Sequence, residues 1–259
     1  METARRNAAP SVPRRQVILA LPAYDEADAI IDLLDAAARE FEKMAEFTPR
    51  VIVVDDGSTD GTGDVVRRYE APFPVEVVSH GTNRGLGRAI ITSLRAALDR
   101  SNDPRDVIVS MDADNTHPPE TIPAMLEQLA RGADVVIASR YRPGSRQVGV
   151  PLKRRLLSLG ARCVFHWLLR LPGVRDYTCG FRAYRAETIR RAFDAYGDRL
   201  ITRAGFACTD ELLVNLARLD PRPVMTEAPF VLRYDRKRGE SKLELLKTLI
   251  ETLRMLLRA

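Results

Sequence analysis

The stretch Val107-Ile108-Val109-Ser110-Met111-Asp112-Ala113-Asp114 passes directly from apolar residues into a pair of carboxylates. A strand covered on both faces needs such an unbroken run of β-branched residues, and strands of that kind belong to parallel sheets. The pattern recurs outward from it. Residues 17–21 form an apolar run ending at Pro22, with Tyr24, Asp25 and Glu26 beyond. Residues 51–54 close in Asp55-Asp56-Gly57-Ser58, residues 75–78 form a third run, and residues 135–138 end in Ser139-Arg140. Between the runs, Ile30, Leu34, Ala37, Ala38 and Phe41 recur at helical spacing, and residues 86–98 and 119–129 also read as helices. This alternation predicts an α/β fold, a Rossmann-like, mostly parallel sheet flanked by helices. Open sheets of this type bind ligands outside the carboxyl ends of their strands. The polar clusters that follow the runs are therefore expected to converge on one crevice.

The chain has 259 residues, of which 45% are hydrophobic, enough for one large domain with a sizeable core. No apolar run approaches the roughly 18 residues of a membrane span. Cys163, Cys179 and Cys208 are odd in number and form no CxxC pair, which argues against a disulfide framework or structural zinc and for a reducing compartment. The 40 Lys and Arg against 35 Asp and Glu give a net charge of +5, unevenly placed. Eight basic residues and no acid lie between Arg140 and Arg170, interleaved with leucines, Phe165 and Trp167. That segment reads as a basic amphipathic helix, or a helix pair broken at Gly160. Residues 242–259 read as another, on Leu243, Leu246, Ile250, Leu253 and Leu257. Residues 1–15 read as a disordered tail, and residues 16–241 as the folded domain. Apolar faces flanked by Lys and Arg fit helices lying in an anionic lipid interface.

Two carboxylates at i and i+2 beyond a buried strand suit one Mg²⁺ or Mn²⁺, which typically takes one or two carboxylates plus substrate phosphates. A lone pair of this kind more often caps a helix or closes a turn. Asp55-Asp56-Gly57-Ser58-Thr59-Asp60-Gly61-Thr62 is a second acidic strand end; Thr59 or Asp60 can merely cap the next helix, while an acid there can also accept hydrogen bonds from a nucleotide base. Gly85-Leu86-Gly87 lacks the third glycine of a dinucleotide fingerprint and reads as a helix start with close backbone packing. No phosphate-binding GxxxxGK[ST] is present. His80 and His166 read as structural or exposed, and His117 as a support for the nearby acids.

The chain resembles family 2 glycosyltransferases of the GT-A fold, and within them the dolichyl- and polyprenyl-phosphate mannosyltransferases. The matching segments run in order from about residue 16 to 243: Pro22-Ala23-Tyr24-Asp25-Glu26, Val54-Asp55-Asp56-Gly57-Ser58, Asn83-Arg84-Gly85-Leu86-Gly87, Met111-Asp112-Ala113-Asp114 with His117-Pro118-Pro119-Glu120, Ser139-Arg140-Tyr141, Asp176-Tyr177-Thr178-Cys179-Gly180-Phe181-Arg182, and Arg236-Lys237-Arg238-Gly239-Glu240-Ser241-Lys242. The resemblance implies that Pro22, Tyr24, Glu26, Val54 and Asp56 line the nucleotide pocket, with Asp112 and Ala113 also facing the nucleotide. It implies that Asp112 and Asp114 hold the metal, that Arg140 and Arg154 meet an acceptor phosphate, and that Arg236 and Lys242 close over the donor. Asp25, Thr116 and Arg233 depart from the usual pattern.

The activity implied is inverting transfer of a sugar from a nucleotide donor to a polyprenyl or dolichyl phosphate, with Mg²⁺ or Mn²⁺ as cofactor. GDP-mannose is the donor expected, with UDP-glucose as rival. The enzyme is expected to be cytoplasmic and peripheral on the inner face of the membrane, with an anionic membrane surface as partner and no nucleic acid. Two other readings stand beside it. One is a soluble family 2 enzyme acting on a sugar hydroxyl, with Asp210 or Glu211 as base; helix-terminal charge with Thr209 as cap is the preferred account of that pair. The other is a non-catalytic nucleotide-sugar or lipid-binding module.

Overall fold

The computed structural model describes residues 14–205 and 207–238. Its elements are, in order, β1 (Arg15–Ala23), α1 (Ala27–Phe41), β2 (Phe47–Asp55), α2 (Thr62–Arg67), β3 (Val75–Ser79), α3 (Leu86–Arg100), β4 (Val107–Ser110), α4 (Ile122–Ala130), β5 (Val135–Ser139), β6 (Arg146–Val148), α5 (Leu152–Leu169), β7 (Arg182–Arg185), α6 (Ala186–Tyr196), α7 (Ala207–Ala217), β8 (Met225–Pro229) and β9 (Val231–Arg233). The segment read as a second C-terminal amphipathic helix and Lys242 lie outside the described residues, as does most of the N-terminal tail. The folded part begins one residue earlier than expected, because Arg15 already pairs with Phe47 in the sheet.

Seven strands form one sheet in the order β3-β2-β1-β4-β7-β5-β8. All neighbours are parallel except β7, which runs antiparallel to both β4 and β5. The expected mostly parallel sheet is therefore present. All five apolar runs are strands of this sheet, and four of them are its buried centre: Val17 to Leu21, Val51 to Val54, Ile108, Val109 and Val135 to Ala138 are fully buried, whereas residues 75–78 form the half-buried edge strand β3. Each Val, Leu or Ile side chain among these, removed from water, contributes about 1.5–3 kcal/mol before the cost of ordering it.

The order of the sheet explains where a site forms. β1 pairs with β2 on one side and β4 on the other, so the connections lead away in opposite directions and leave a crevice at the carboxyl edge. Ala23, Asp55 and Asp112 stand at or just beyond these three strand ends. Because β7 is reversed, its first residue, Arg182, pairs with Ser110 at the end of β4. Residues 178–181 are thereby delivered to the same edge. A separate two-stranded ribbon, β6 with β9, brings the segment after residue 233 back over that edge.

Helix α5 is one continuous helix, not a pair broken at Gly160. A Cβ at Gly160 would meet nothing within 4 Å, so this glycine only loosens the helix and no packing demands a break there. Ser158 and Phe165 are buried, whereas Leu152, Leu156, Leu159 and Trp167, which follow helical spacing, are exposed. The apolar stripe of α5 thus faces away from the protein.

Gly87, in the first turn of α3, carries the close packing expected of the Gly85-Leu86-Gly87 segment. Its N–H donates to the Ala204 carbonyl at 3.2 Å, and an added Cβ would lie 1.9 Å from the Arg203 carbonyl oxygen. Gly87→Ala should push the 203–205 loop off α3 and cost about 1–3 kcal/mol. Urea denaturation measures this, and a variant as stable as the parent would contradict the contact.

Candidate active site

A cavity of about 410 Å³ opens at the carboxyl edge of β1, β2 and β4. Its floor is Asp112, Ala113 and Asp114. One wall carries Pro22, Tyr24, Glu26 and Asp56, and the other carries Arg140, Arg154, Ser158 and Thr178. The structure therefore brings together most of the residues singled out in the sequence. Two described ones stand apart. Val54 is fully buried in the sheet beside Pro22 and does not line the cavity. Arg236 lines a different hollow, against α1.

The wall that carries Pro22, Tyr24, Glu26 and Asp56 is held by side-chain to backbone bonds across two loops. Asp25 adopts φ +52° and its Oδ1 accepts the Thr59 N–H at 2.8 Å. Its own N–H donates to Ser58 Oγ at 3.0 Å, and the Glu26 N–H donates to Thr62 Oγ1 at 2.9 Å. Asp60 accepts the N–H groups of Ala27 and Thr62, so its carboxylate serves the starts of both α1 and α2. Asp56 is fixed from three sides: Oδ1 meets His80 Nδ1 at 2.6 Å and the Arg84 N–H at 2.9 Å, and Oδ2 accepts the Gly85 N–H at 2.9 Å. His80 is in turn bonded through Nε2 to Thr92 Oγ1. It is structural, as read from sequence, and what it holds is the acid at the end of β2. Gly57 has φ +75°, and a Cβ there would clash with the Thr82 backbone, so this turn requires glycine.

At the floor, His117 stacks on Phe181 with ring centroids 5.4 Å apart. Its Nδ1 accepts the Asp112 N–H at 3.3 Å, which leaves the proton on Nε2, 3.9 Å from Asp112 Oδ2. Enclosure pushes the Asp112 carboxyl above its ordinary value, and the neighbouring Asp114 charge adds to this. Asp114 is anchored by Thr116, whose hydroxyl donates to Oδ1 at 2.7 Å. Its Oδ2 meets Lys237 Nζ at 2.5 Å. Burial pushes the Asp114 carboxyl up, but the Lys237 ammonium outweighs that and holds it below the carboxylate range. The same pair keeps Lys237 above its ordinary value despite its burial.

Lys237 was not singled out in the sequence; its neighbour Arg236 was. A 3₁₀ turn over Tyr234–Arg236 decides between them. Side chains three apart eclipse in such a turn, so Tyr234 and Lys237 share the cavity side while Arg236 faces α1. The turn is strapped down by the Arg233 N–H to the Thr116 carbonyl at 2.9 Å, and by Arg238, which reaches Asp32 at 2.8 Å and the Asp28 carbonyl.

The two arginines of the far wall differ in their partners. Arg140 makes a two-pronged ion pair with Asp176, at 2.8 and 2.6 Å, and also donates to Thr178 Oγ1 at 2.6 Å. Arg154 donates to the Tyr234 hydroxyl at 3.1 Å and lies 4.8 Å over that ring. Cys179, also on the wall, has its thiol pushed up to about 12 by burial, so it is not a thiolate at neutral pH.

The carboxylate pair stands at the start of α7, with Asp210 in its first turn, as the helix-terminal reading has it. Thr209 lies within the helix instead of capping it. Glu211 accepts the Thr202 and Arg203 N–H groups and the Thr202 hydroxyl, clamping the loop whose Ala204 and Gly205 line the cavity. Asp210 is buried and does not line the cavity.

The donor set fits a hard divalent ion. Asp112 and Asp114 offer carboxylate oxygens at one strand end, and a cation, the Lys237 ammonium, already sits on Asp114. No cluster of three or more His, Cys, Asp or Glu capable of holding a metal occurs among the described residues. An ion here would complete its shell with phosphate and water, which is usual for Mg²⁺ and closely similar for Mn²⁺.

The profile of the family described as Glycosyl transferase family 2 matches residues 19–193. The chain is 36% identical over 231 residues to the undecaprenyl-phosphate mannosyltransferase of Micrococcus luteus, covering 88% of this chain and 87% of that one. It is 31% identical over 244 residues to the dolichol-phosphate mannosyltransferase of Pyrococcus furiosus, covering 94% of this chain and 63% of that longer one. The glucosyl-3-phosphoglycerate synthase from Mycobacterium tuberculosis superposes with a TM-score of 0.66 at 21% identity, over 94% of this chain and 79% of that chain, and so shares the fold.

Asp176 is fully buried, and Arg140 opposite it is nearly so. Burial pushes the Asp176 carboxyl up and the Arg140 guanidinium more than offsets this, so it titrates below its unfolded value. Such a group stabilises the fold above its unfolded pKa of about 3.9 and loses that contribution as pH falls through the folded value. Asp176→Asn should therefore cost about 3–5 kcal/mol at pH 7 by leaving Arg140 uncompensated. The gap to wild type should narrow below about pH 4. Denaturant titrations at several pH values measure both; a gap that widens toward low pH would contradict the pairing.

Proposed function

Because the chain belongs to glycosyl transferase family 2, we propose that it transfers mannose from GDP-mannose to a polyprenyl phosphate at a membrane surface, inverting the anomeric carbon. The observation that carries this reading is the meeting of the Asp112/Asp114 pair, Lys237 and Arg154 in one cavity. The named relatives support the sugar and the class of acceptor.

In the reaction, a phosphate oxygen of the acceptor bonds to C1 of the sugar while the bond from C1 to the donor diphosphate breaks. The nucleoside diphosphate leaves with the electron pair. The acceptor, a phosphate monoester with a second pKa of about 6, is already ionised at neutral pH. It needs orientation and no general base. This agrees with a cavity on which Asp210 and Glu211 do not open. Arg154 orients the acceptor phosphate, and Asp176 and Thr178 hold Arg140 beside it. Asp56, Tyr24 and Glu26 face the nucleoside. Asp112 and Asp114 would hold Mg²⁺ or Mn²⁺, which supplies positive charge to the departing diphosphate. Lys237 neutralises Asp114 in the resting protein and turns its charge to the diphosphate when the donor is bound. Stabilising charge where it develops is the largest contribution to catalysis in sites of this kind.

Among the described residues no helix is long and apolar enough to cross a membrane. The outward leucines of α5, with Lys153, Arg155 and Arg162 beside them, would lie in the interface where the lipid acceptor is presented.

The test is transfer by the purified protein to undecaprenyl phosphate in detergent, with GDP-mannose or UDP-glucose and with Mg²⁺, Mn²⁺ or chelator. Metal-dependent, base-stable mannosyl transfer is expected, with a rate that falls as pH drops through about 6. Asp112→Asn and Asp114→Asn should lose at least about 100-fold in kcat. Arg154→Gln should raise KM for the lipid about 10-fold or more. Transfer from UDP-glucose alone, or to a sugar hydroxyl alone, would overturn the proposal.

A further inference from the structure

A second hollow, of about 760 Å³, lies on the surface at the C-terminal end of α5. Arg142, Arg170 and Arg175 line it together with His166, and no Asp or Glu does. None of the three guanidinium groups has an ion-pair partner among the described residues. The carboxylates of Asp176, next to Arg175 in the chain, and of Glu227, which accepts the Arg175 N–H, are turned inward. Asp176 is buried on Arg140, and Glu227 is buried and accepts the N–H groups of Arg175 and Asp176. The remaining walls are apolar, from Leu171, Pro172 and Val174, and Trp167 borders the hollow with 69% of its surface exposed.

A concave, positively charged surface with apolar walls matches a ligand with an anionic phosphate and a greasy end. Arginine forks fit phosphate oxygens in pairs. An exposed tryptophan beside them suits the headgroup level of a bilayer, where an amphipathic ring sits with one side dry and one wet. The hollow is continuous with the exposed stripe of α5. Arg154 and Ser158 of that helix line the catalytic cavity, whereas Cys163, His166 and Trp167 line the hollow. At 1.5 Å per residue, the two ends are about 20 Å apart along the helix axis.

We infer that the hollow formed by Arg142, Arg170, Arg175 and Trp167 binds the phosphate headgroup of an anionic phospholipid. One helix then carries the catalytic cavity at one end and a headgroup anchor at the other. The inference rests on the membrane-surface part of the proposed function, but its test does not use transfer activity, so failure of either is seen separately.

Trp167 is the single tryptophan of the chain and reports on the hollow directly. The full-length protein is titrated with dihexanoyl phosphatidylglycerol below its micelle concentration while tryptophan emission is followed. A saturable blue shift is expected. Dihexanoyl phosphatidylcholine, whose choline cancels the charge, and inorganic phosphate, which lacks the apolar part, should give none. The double variant Arg170→Gln/Arg175→Gln should bind phosphatidylglycerol about 30-fold more weakly. Lys153→Gln/Arg155→Gln, which removes the same charge from α5 outside the hollow, should leave the titration unchanged. Absence of a saturable shift, equal losses in the two double variants, or the same shift with inorganic phosphate would each overturn the inference.

Discussion

The ion pair between Asp114 and Lys237 is the interaction on which the arrangement of the site depends. Two carboxylates two residues apart on one floor repel each other, and the buried one, Asp114, also loses hydration, so a nearby cation favours its anionic form. The chain supplies that cation from 123 residues further on. Supplying it requires the β6–β9 ribbon, the 3₁₀ turn at Tyr234 and the Arg238 strap onto α1, all of which bring Lys237 to the carboxyl edge of the sheet. The acidic floor thus helps to dock the late loop, and the docked loop adds Tyr234 and Lys237 to the cavity lining.

The rest of the site repeats this use of distant partners to fix a charged group. Asp56 is held by His80 and by two N–H groups at the start of α3, Arg140 by Asp176, and Glu211 by the loop it clamps. These side chains are therefore preorganised before any substrate arrives, which is how a protein site gains over water in stabilising a developing charge.

The fold was largely legible because its central strands are buried on both faces. Solid apolar runs such as residues 51–54 and 135–138 admit few other readings. The strands that escaped notice carry charge: Arg182 of β7 is fully buried and donates through its two terminal nitrogens to the Tyr177 and Thr209 carbonyls, and Glu227 of β8 is buried against two backbone N–H groups. Hydropathy cannot anticipate a polar side chain whose partners lie elsewhere in the chain. For the site, the acidic clusters at the strand ends were legible from the topology they imply. The choice of Lys237 over Arg236 was not, because it turns on a single 3₁₀ turn. Of the two readings open for the basic segment, one helix or a pair broken at Gly160, the single helix is found, held by Phe165 and Ser158 on its inner side against the weak helix propensity of glycine.

In the proposed mechanism Lys237 is the cation for Asp114 when the cavity is empty and for the diphosphate when it is filled. The most direct measurement is a pair of calorimetric titrations on wild type and Lys237→Met, one with Mn²⁺ alone and one with GDP in saturating Mn²⁺. Removing the competing ammonium should tighten binding of Mn²⁺ alone about 10-fold and weaken binding of GDP by a similar factor. Changes of the same sign in both titrations, or no change in either, would contradict it.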